Sequence, residues 1–485
     1  MVPIGAALVV FLGSGPLRLI TLDRGETIVE HVDGVMAAVA IVRDAGGDFH
    51  LKVNNRFQMG GTTSAFSDLR QGHIPLLLHP RPRGALYLGL GTAATFAAAG
   101  DHPDLRADGV ELVPEIVPLL PYFRKSTGDL SARENLSILV ADARRYVTAS
   151  PRKYDVVVAD LFHPARDGAA SLYTREHFQA VRDLLDEGGL FCQWLPLYQL
   201  DLETLRTITR TFLDVFPEGS AFLAHHSLTS PIVGLVGGRG AARTYPPGWF
   251  HARVREGRLE EKLRRLRLHD DYGLLGGYLA GSDALRRFAG AGPLNTDDRP
   301  LVLFEAPRFA YAPVEPAHER LLALVRTFHP APEEVLGAPR TDAERGVHSR
   351  LAAYWSARDR FLEAGVNVRE TSDARQLLAQ VREPLLDIVR ESQDFDAAYS
   401  PILALAVRLH EVDPEAADRL LAELERANPH RVEAQELARR FSLGRATPQE
   451  TSLRQIRPPP QLPRAPPPAP SAPPAPERAG RSAPR

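Results

Sequence analysis

The stretch LGLGTAATFAAAG, Leu88 to Gly100, decides the fold. An apolar strand, ALYLGL, runs into Gly89 and Gly91, one residue apart, and then into small helix-forming residues that end at Gly100. A strand that turns on glycines into a helix brings backbone N–H groups and a helix N-terminus up to a ligand with no side chain in the way. Twenty residues past Gly91, at the end of the next predicted strand, stands Glu111 in ELVPE. A carboxylate at that place can accept both hydroxyls of a ribose. Taken alone, this pattern is shared by NAD enzymes, by enzymes of sulfonium nucleosides and by sheets that hold no ligand at this edge.

The alternation of strand and helix continues outward. DGVELV predicts a second strand, LSILVAD a third ending at Asp142, YDVVVAD a fourth ending at Asp160, and LFCQWL a fifth. Between them, REHFQAVRDLLDEGG places Phe178, Val181, Leu184 and Leu185 at helical spacing. The pattern predicts an α/β fold, a mostly parallel sheet covered on both faces. Ligands of such sheets sit outside the carboxyl ends of the strands, so Gly89, Gly91, Glu111, Asp142 and Asp160 are expected to converge on one crevice. A carboxylate at Asp142 can accept an adenine amino group, and the Ala143 N–H can reach a ring nitrogen. These strand-end features favour a nucleoside, and no second dinucleotide half follows Asp142, which weighs against NAD.

Six segments are expected. Residues 1–20 form an apolar N-terminal segment whose apolar run, Val2 to Leu17 apart from Ser14, falls short of the ~20 residues of a spanning helix and suits either a buried strand or the end of a membrane helix. Residues 21–80 are predicted to form a β-rich N-terminal domain with a tight turn at Asn54–Asn55. Residues 81–240 form the nucleoside-binding core. Residues 241–315 are mixed and contain NTDDRP, read as a loop leading into a strand LVLFEAP. Residues 316–450 are helical and repeat-like, with helix starts at Asp413-Pro414 and Asn428-Pro429. Residues 451–485 form a tail that cannot bury apolar surface: residues 458–485 hold twelve of the 41 prolines.

Composition narrows the function. Hydrophobic content of 44% and charged content of 24% are ordinary for a globular chain, and a net charge of -2 gives no electrostatic case for nucleic acid. The single cysteine, Cys192, excludes an internal disulfide and cysteine-rich zinc sites. Adjacent His225 and His226 point to opposite faces of a strand, so no metal site is predicted. No positive region precedes the apolar start. The expectation is a cytoplasmic protein, with the N-terminal segment a candidate for membrane association and the helical region and proline tail candidates for a protein partner.

These motifs together resemble the spermidine synthase family, the polyamine aminopropyltransferases, and are most similar to a bacterial branch fused behind membrane helices. The resemblance rests on LKVNNRFQ, GHIPLLLHPRPRGALYLGLGTAAT, VELVPE, VADARRYV, YDVVVAD, SLYTREHF, GGLFCQWLPLY and NTDDRP. It implies a Rossmann-like, class I methyltransferase-type core behind a β-domain, and commonly a homodimer. It implies decarboxylated S-adenosylmethionine as a cosubstrate, with no permanently bound cofactor, and putrescine or a related amine as acceptor. Gln58, the Gly89–Thr92 turn, Glu111, Asp142 and Ala143 would hold the nucleoside. Asp160 would be the catalytic general base and ammonium anchor, and Leu161–Tyr173, with His163 and Tyr173, the loop closing over the substrate. Three positions depart from the family. Thr92 replaces an Asp that holds the donor's amino group, Ser67-Asp68-Leu69 replaces the acceptor-binding Tyr-His-Glu, and His163 replaces a second Asp. Intact S-adenosylmethionine would suit Thr92. A methyltransferase on the same core and a catalytically degenerate scaffold protein are therefore the alternative readings.

Overall fold

The computed structural model describes residues 20–444 apart from 55–56, 167, 257–258 and 312–314. Residues 1–19 of the apolar segment and the proline-rich tail lie outside the described residues. The large sheet contains β5 (Gly84–Leu88), β6 (Arg106–Glu111), β7 (Leu136–Val140), β8 (Tyr154–Ala159), β9 (Leu185–Pro196), β10 (Ser220–Leu223), β11 (Ile232–Gly238) and β12 (Tyr278–Ala280). A smaller antiparallel meander precedes it: β1 (Thr27–Asp33), β2 (Ala38–Arg43), β3 (Phe49–Val53) and β4 (Phe57–Gly61).

In the large sheet the order is β12-β10-β11-β9-β8-β5-β6-β7. Strands β9, β8, β5, β6 and β7 run parallel, and β11, β10 and β12 join antiparallel. This is the Rossmann-like arrangement of methyltransferase-type domains. The central strands are apolar on both faces, as parallel sheets covered by helices require: Val156, Val157 and Val158 of β8 are all fully buried. Alternation still sorts them. Ala85 and Tyr87 enter the core on one face of the sheet, Leu86 and Leu88 the core on the other. The chain steps from β5 to β6 and β7 on one side, then returns to β8 and β9 on the other. The gap between β5 and β8 is thus the switch point of the sheet, where carboxyl ends diverge and a ligand can enter.

Three expectations change. Residues 65–78 form a helix, Ala65–Leu78, packed on the large sheet rather than part of a β-domain. Ten of its residues are buried, so its sequence shows no one-sided apolar stripe. Gly72 lets it lie flat: a Cβ there would stand 2.1 Å from the Thr95 carbonyl oxygen. LVLFEAPRFA forms a helix, Leu301–Ala310, not a strand. Asn295 of NTDDRP, fully buried, accepts from Val302 N at 3.1 Å through Oδ1 and donates from Nδ2 to Tyr173 O at 2.9 Å. Arg175 N donates to its carbonyl at 2.9 Å. Asn428 ends a helix, Pro414–Ala427, instead of starting one, and the next helix is Glu433–Gly444. The helix start at Asp413-Pro414 is as expected, with Asp413 Oδ1 accepting from Ala416 N at 3.1 Å.

The C-terminal helices are bolted to the sheet through one long helix, Asp342–Gly365. Trp355 Nε1 donates to Leu275 O at 3.0 Å, and the fully buried Arg358 donates to Gly276 O at 3.0 Å and Tyr278 O at 2.6 Å. No helix among the described residues is long and apolar enough to cross a membrane. Replacing Arg358 by Ala strips both carbonyls of their donor and opens a cavity at the sheet edge. Urea denaturation of Arg358→Ala is expected to show a loss of about 3 kcal/mol, and an unchanged midpoint would contradict this account of the attachment.

Candidate functional site

The site is built around the glycine turn. Gly89 (φ +79) and Gly91 (φ +52) both adopt the left-handed conformation that glycine tolerates. Space demands glycine as well. A Cβ on Gly89 would lie 3.0 Å from the Phe162 ring and 3.8 Å from Asp160 Cβ, and one on Gly91 would lie 2.9 Å from Met59 O. The turn is thus wedged between the segment after β8 and strand β4. Glu111, buried at the end of β6, holds it there. Its Oε2 accepts from Leu90 N at 3.1 Å and Gly91 N at 3.3 Å, and its Oε1 from Val113 N at 2.9 Å. A carboxylate has about four acceptor positions, so one on Oε1 stays open to a ligand hydroxyl.

The other expected nucleoside residues lie around this turn on neighbouring elements. Ala141 N donates to Glu111 O at 2.9 Å, which carries Asp142 alongside Glu111. Asp142 is exposed and caps the helix Ala143–Ala149, accepting from Arg145 N at 2.9 Å. Ala143 N opens that helix, where N–H groups have no partner within the helix. Thr92 is buried, and a Cβ on Gly60 of β4 would touch its side chain at 3.2 Å. Gln58 shares the strand face of Gly60. Its Nε2 donates to His50 Nδ1 at 3.2 Å, and His50 Nε2 lies 3.0 Å from Asp44 Oδ2. Asp44 accepts only, so His50 donates to it, and the Gln58 carbonyl oxygen is left for a ligand.

Asp160 stands across the turn from them. Its backbone N donates to Leu88 O at 3.0 Å, continuing the β5–β8 ladder, and its Oδ1 accepts from Leu161 N at 2.8 Å. Burial pushes its carboxyl up to about 6, the Glu111 charge adds to the rise, and the bonds from Leu161 N and the Thr95 hydroxyl oppose it. A second carboxylate, Asp68 of the Ala65–Leu78 helix, lies within electrostatic reach. Burial pushes Asp68 up to about 8, with the Asp160 charge adding and the bond from Ser64 Oγ, 2.7 Å away, opposing. Tyr198 is raised by burial and by the charges of both acids. Among the described residues, neither Asp68 nor Asp160 has a Lys or Arg ion-pair partner.

Leu161–Arg166 and Gly168–Tyr173 cover this edge. Phe162 rests on Gly89, Tyr173 OH donates to Phe162 O at 2.7 Å, and Asn295 fastens the Tyr173 carbonyl, so the NTDDRP motif anchors the base of the loop. Burial, with the Arg166 charge adding, lowers His163 to about 4, so it is neutral at pH 7. Sequence reasoning passed over Thr95 and Gln193. Gln193 is paired with Ala159, the residue before Asp160, and is fully buried; its Oε1 has no hydrogen-bond partner among the described residues. A polar residue in the middle of LFCQWL was the available signal.

Residues 70–226 match the family described as the spermine/spermidine synthase domain. The chain is 30% identical over 133 residues to a polyamine aminopropyltransferase of Methanocaldococcus jannaschii, covering 27% of this chain and 45% of that protein. It is 26% identical over 218 residues to one of Saccharolobus islandicus, covering 42% of this chain and 71% of that protein. The chain thus spans less than half of the first of these relatives. Among solved structures it is similar to a spermidine synthase from Thermotoga maritima, at 18% identity and a TM-score of 0.42, covering 54% of this chain and 87% of that one. The spermidine synthase family anticipated from the motifs is the family that these comparisons support.

Glu111→Gln would turn amide hydrogens toward backbone N–H donors. Removing one side of that set is expected to lower stability by about 1–3 kcal/mol, measured by urea denaturation without ligand. An unchanged midpoint would mean that the carboxylate does not hold the turn.

Proposed function

We propose that this domain transfers an aminopropyl group from decarboxylated S-adenosylmethionine to an amine such as putrescine. The observation that carries the reading is Asp160: a half-buried carboxylate, raised to about 6, at the β5/β8 switch point and against the glycine turn.

The chemistry asks for such a group. A primary amine is protonated at neutral pH and has no lone pair to attack with. Asp160 attracts the ammonium and accepts one of its protons, freeing the nitrogen. The nitrogen then attacks the propyl carbon beside the sulfonium. The N–C bond forms as the C–S bond breaks, the electron pair of that bond stays on sulfur, and neutral methylthioadenosine leaves. The positive charge moves from sulfur to nitrogen, so a nearby carboxylate stabilises the developing cation. Gln58, the glycine turn, Glu111, Asp142 and Ala143 hold the adenosine part. The loop closed over Gly89 excludes water from the reacting carbon.

A methyl transfer from intact S-adenosylmethionine is the second reading, and Thr92 favours it. With no carboxylate there, nothing at that position selects a donor lacking its own carboxylate. Calorimetry with decarboxylated S-adenosylmethionine, S-adenosylmethionine, methylthioadenosine and NAD separates the readings before any assay of turnover. Absence of binding by all of them would favour a non-catalytic scaffold.

Asp160 must be ionised to take the proton, so kcat/KM is expected to fall about tenfold per pH unit below pH about 6. Asp160→Asn is expected to retain methylthioadenosine binding, to lose about 10²–10⁴-fold in transfer and to lose that acidic limb. Product analysis by mass spectrometry with putrescine across pH 5–9 checks both, and full activity in Asp160→Asn would refute the assignment.

A further inference from the structure

We infer that Thr95 is a positioning residue for the proton-accepting carboxylate: its buried hydroxyl donates to Asp160, orients that carboxyl and favours its ionised form. The inference rests on the aminopropyl-transfer reading above and adds to it a group that acts through Asp160.

Thr95 is the second residue of the short helix Ala94–Ala97 that follows the glycine turn. Backbone bonds tie that helix to the end of β5: Ala93 N donates to Leu90 O at 2.6 Å and Ala97 N to Ala93 O at 2.9 Å. The next residue, Phe96, packs edge-on against Tyr87 of β5, with ring centroids 5.5 Å apart. The Ala65–Leu78 helix presses on the Thr95 carbonyl at Gly72, where a Cβ would stand 2.1 Å away. Thr95 is therefore held from two sides. Asp160 comes from β8, the neighbour of β5. Its Cβ lies 3.8 Å from where a Gly89 Cβ would stand, and its backbone N bonds Leu88 O. The carboxyl receives two donors from different elements. Leu161 N reaches Oδ1 at 2.8 Å from its own segment, and the Thr95 hydroxyl comes from the helix after β5. Two donors on two elements fix the plane of a carboxylate and leave its other lone pairs for an incoming ammonium.

Packing does not account for the hydroxyl. Residues 93–99 are all buried, and Thr95, 3% exposed, is the one hydrogen-bonding side chain among them. Val has the same branched shape and would bury no polar group. A Thr in a helix commonly turns its hydroxyl back to a carbonyl three or four residues earlier, whereas this one goes to a carboxylate on the neighbouring strand end. A hydrogen bond to a charged group is worth more than one between neutral groups. Burial raises Asp160 to about 6, and the Thr95 hydroxyl opposes that rise. Without it the carboxyl would hold its proton to higher pH and could not take one from the amine.

The test compares Thr95→Val and Thr95→Ser with the wild type, each as the whole chain, in two readouts. The first is kcat/KM against pH with decarboxylated S-adenosylmethionine and putrescine. Thr95→Val is expected to move the acidic limb up by about one pH unit, as loss of a charged hydrogen bond would, and so to lose about tenfold at pH 5 and less at pH 8. Thr95→Ser keeps the hydroxyl and should keep the wild-type limb. A merely structural defect would lower the profile without moving it. The second readout, the urea midpoint at pH 5 and pH 8, needs no turnover. A carboxyl raised on folding contributes stability that is lost as pH rises through about 6. Removing its donor should therefore lower the midpoint more at pH 8, where Asp160 is ionised, than at pH 5, and the difference should vanish in an Asp160→Asn background. An acidic limb that stays in place in Thr95→Val, or a midpoint penalty equal at the two pH values, overturns the inference and leaves Asp160 as the base. A wild type that forms no aminopropyl product overturns the reading itself, and the inference with it.

Discussion

A carboxylate taken out of water must find hydrogen-bond donors or give up its charge, and the carboxyl edge of this sheet uses both solutions within a few residues. Glu111 finds donors: three backbone N–H groups, two of them in the glycine turn. Asp160 and Asp68 find two donors each, and both keep a raised affinity for protons. One acid therefore shapes the site and the others remain reactive. The turn could not hold its left-handed course against β4 without Glu111, and Asp160 would face no defined surface without the turn.

The position of these groups follows from topology before any side chain is considered. Because the chain winds outward from β5 in both directions, β5 and β8 are neighbours in the sheet but far apart in sequence. Their carboxyl ends are the one place where two connections leave in opposite directions. Gly89 belongs to one end and Asp160 to the other, and the backbone bond from Asp160 N to Leu88 O makes them adjacent. The meander β1–β4 then closes the third side by laying Met59 and Gly60 over the turn.

What the sequence disclosed and what it hid divide along physical lines. The parallel strands were legible because burial on both faces leaves continuous apolar runs such as VVV at 156–158. The Ala65–Leu78 helix was not, because a helix buried nearly all round has no stripe, and Gly72 and Pro75 read as breakers. LVLFEAPRFA carries the branched and aromatic residues of a strand; its helix is organised by Asn295, which a local reading cannot see. Asn428-Pro429 illustrates an ambiguity of code, since a proline just after a helix also marks its end. In the site, the spacing of Glu111 was legible, but its engagement with the turn was not, because hydrogen bonds between strand ends depend on register. Asp68 was visible only as the carboxylate in a stretch that had lost its expected residues.

The helical C-terminal region bears on the same site mechanically. Arg70, two residues beyond Asp68 on the same helix, is buried and donates to Ala224 O at 2.5 Å, to Leu266 O and to Arg267 O at 3.1 Å. Arg267 in turn pairs with Asp396 at 2.6 Å, and Asp396 also takes Arg431 at 2.9 Å. Asp396 opens the helix Asp396–Val412 and Arg431 lies in the connection between the last two helices, so a chain of polar contacts runs from the C-terminal region to the helix that carries Asp68. A buried guanidinium bound to fixed carbonyls tolerates little displacement, because each donor that strays leaves a carbonyl unpaired. The C-terminal helices therefore constrain the placement of the Ala65–Leu78 helix, which carries Asp68.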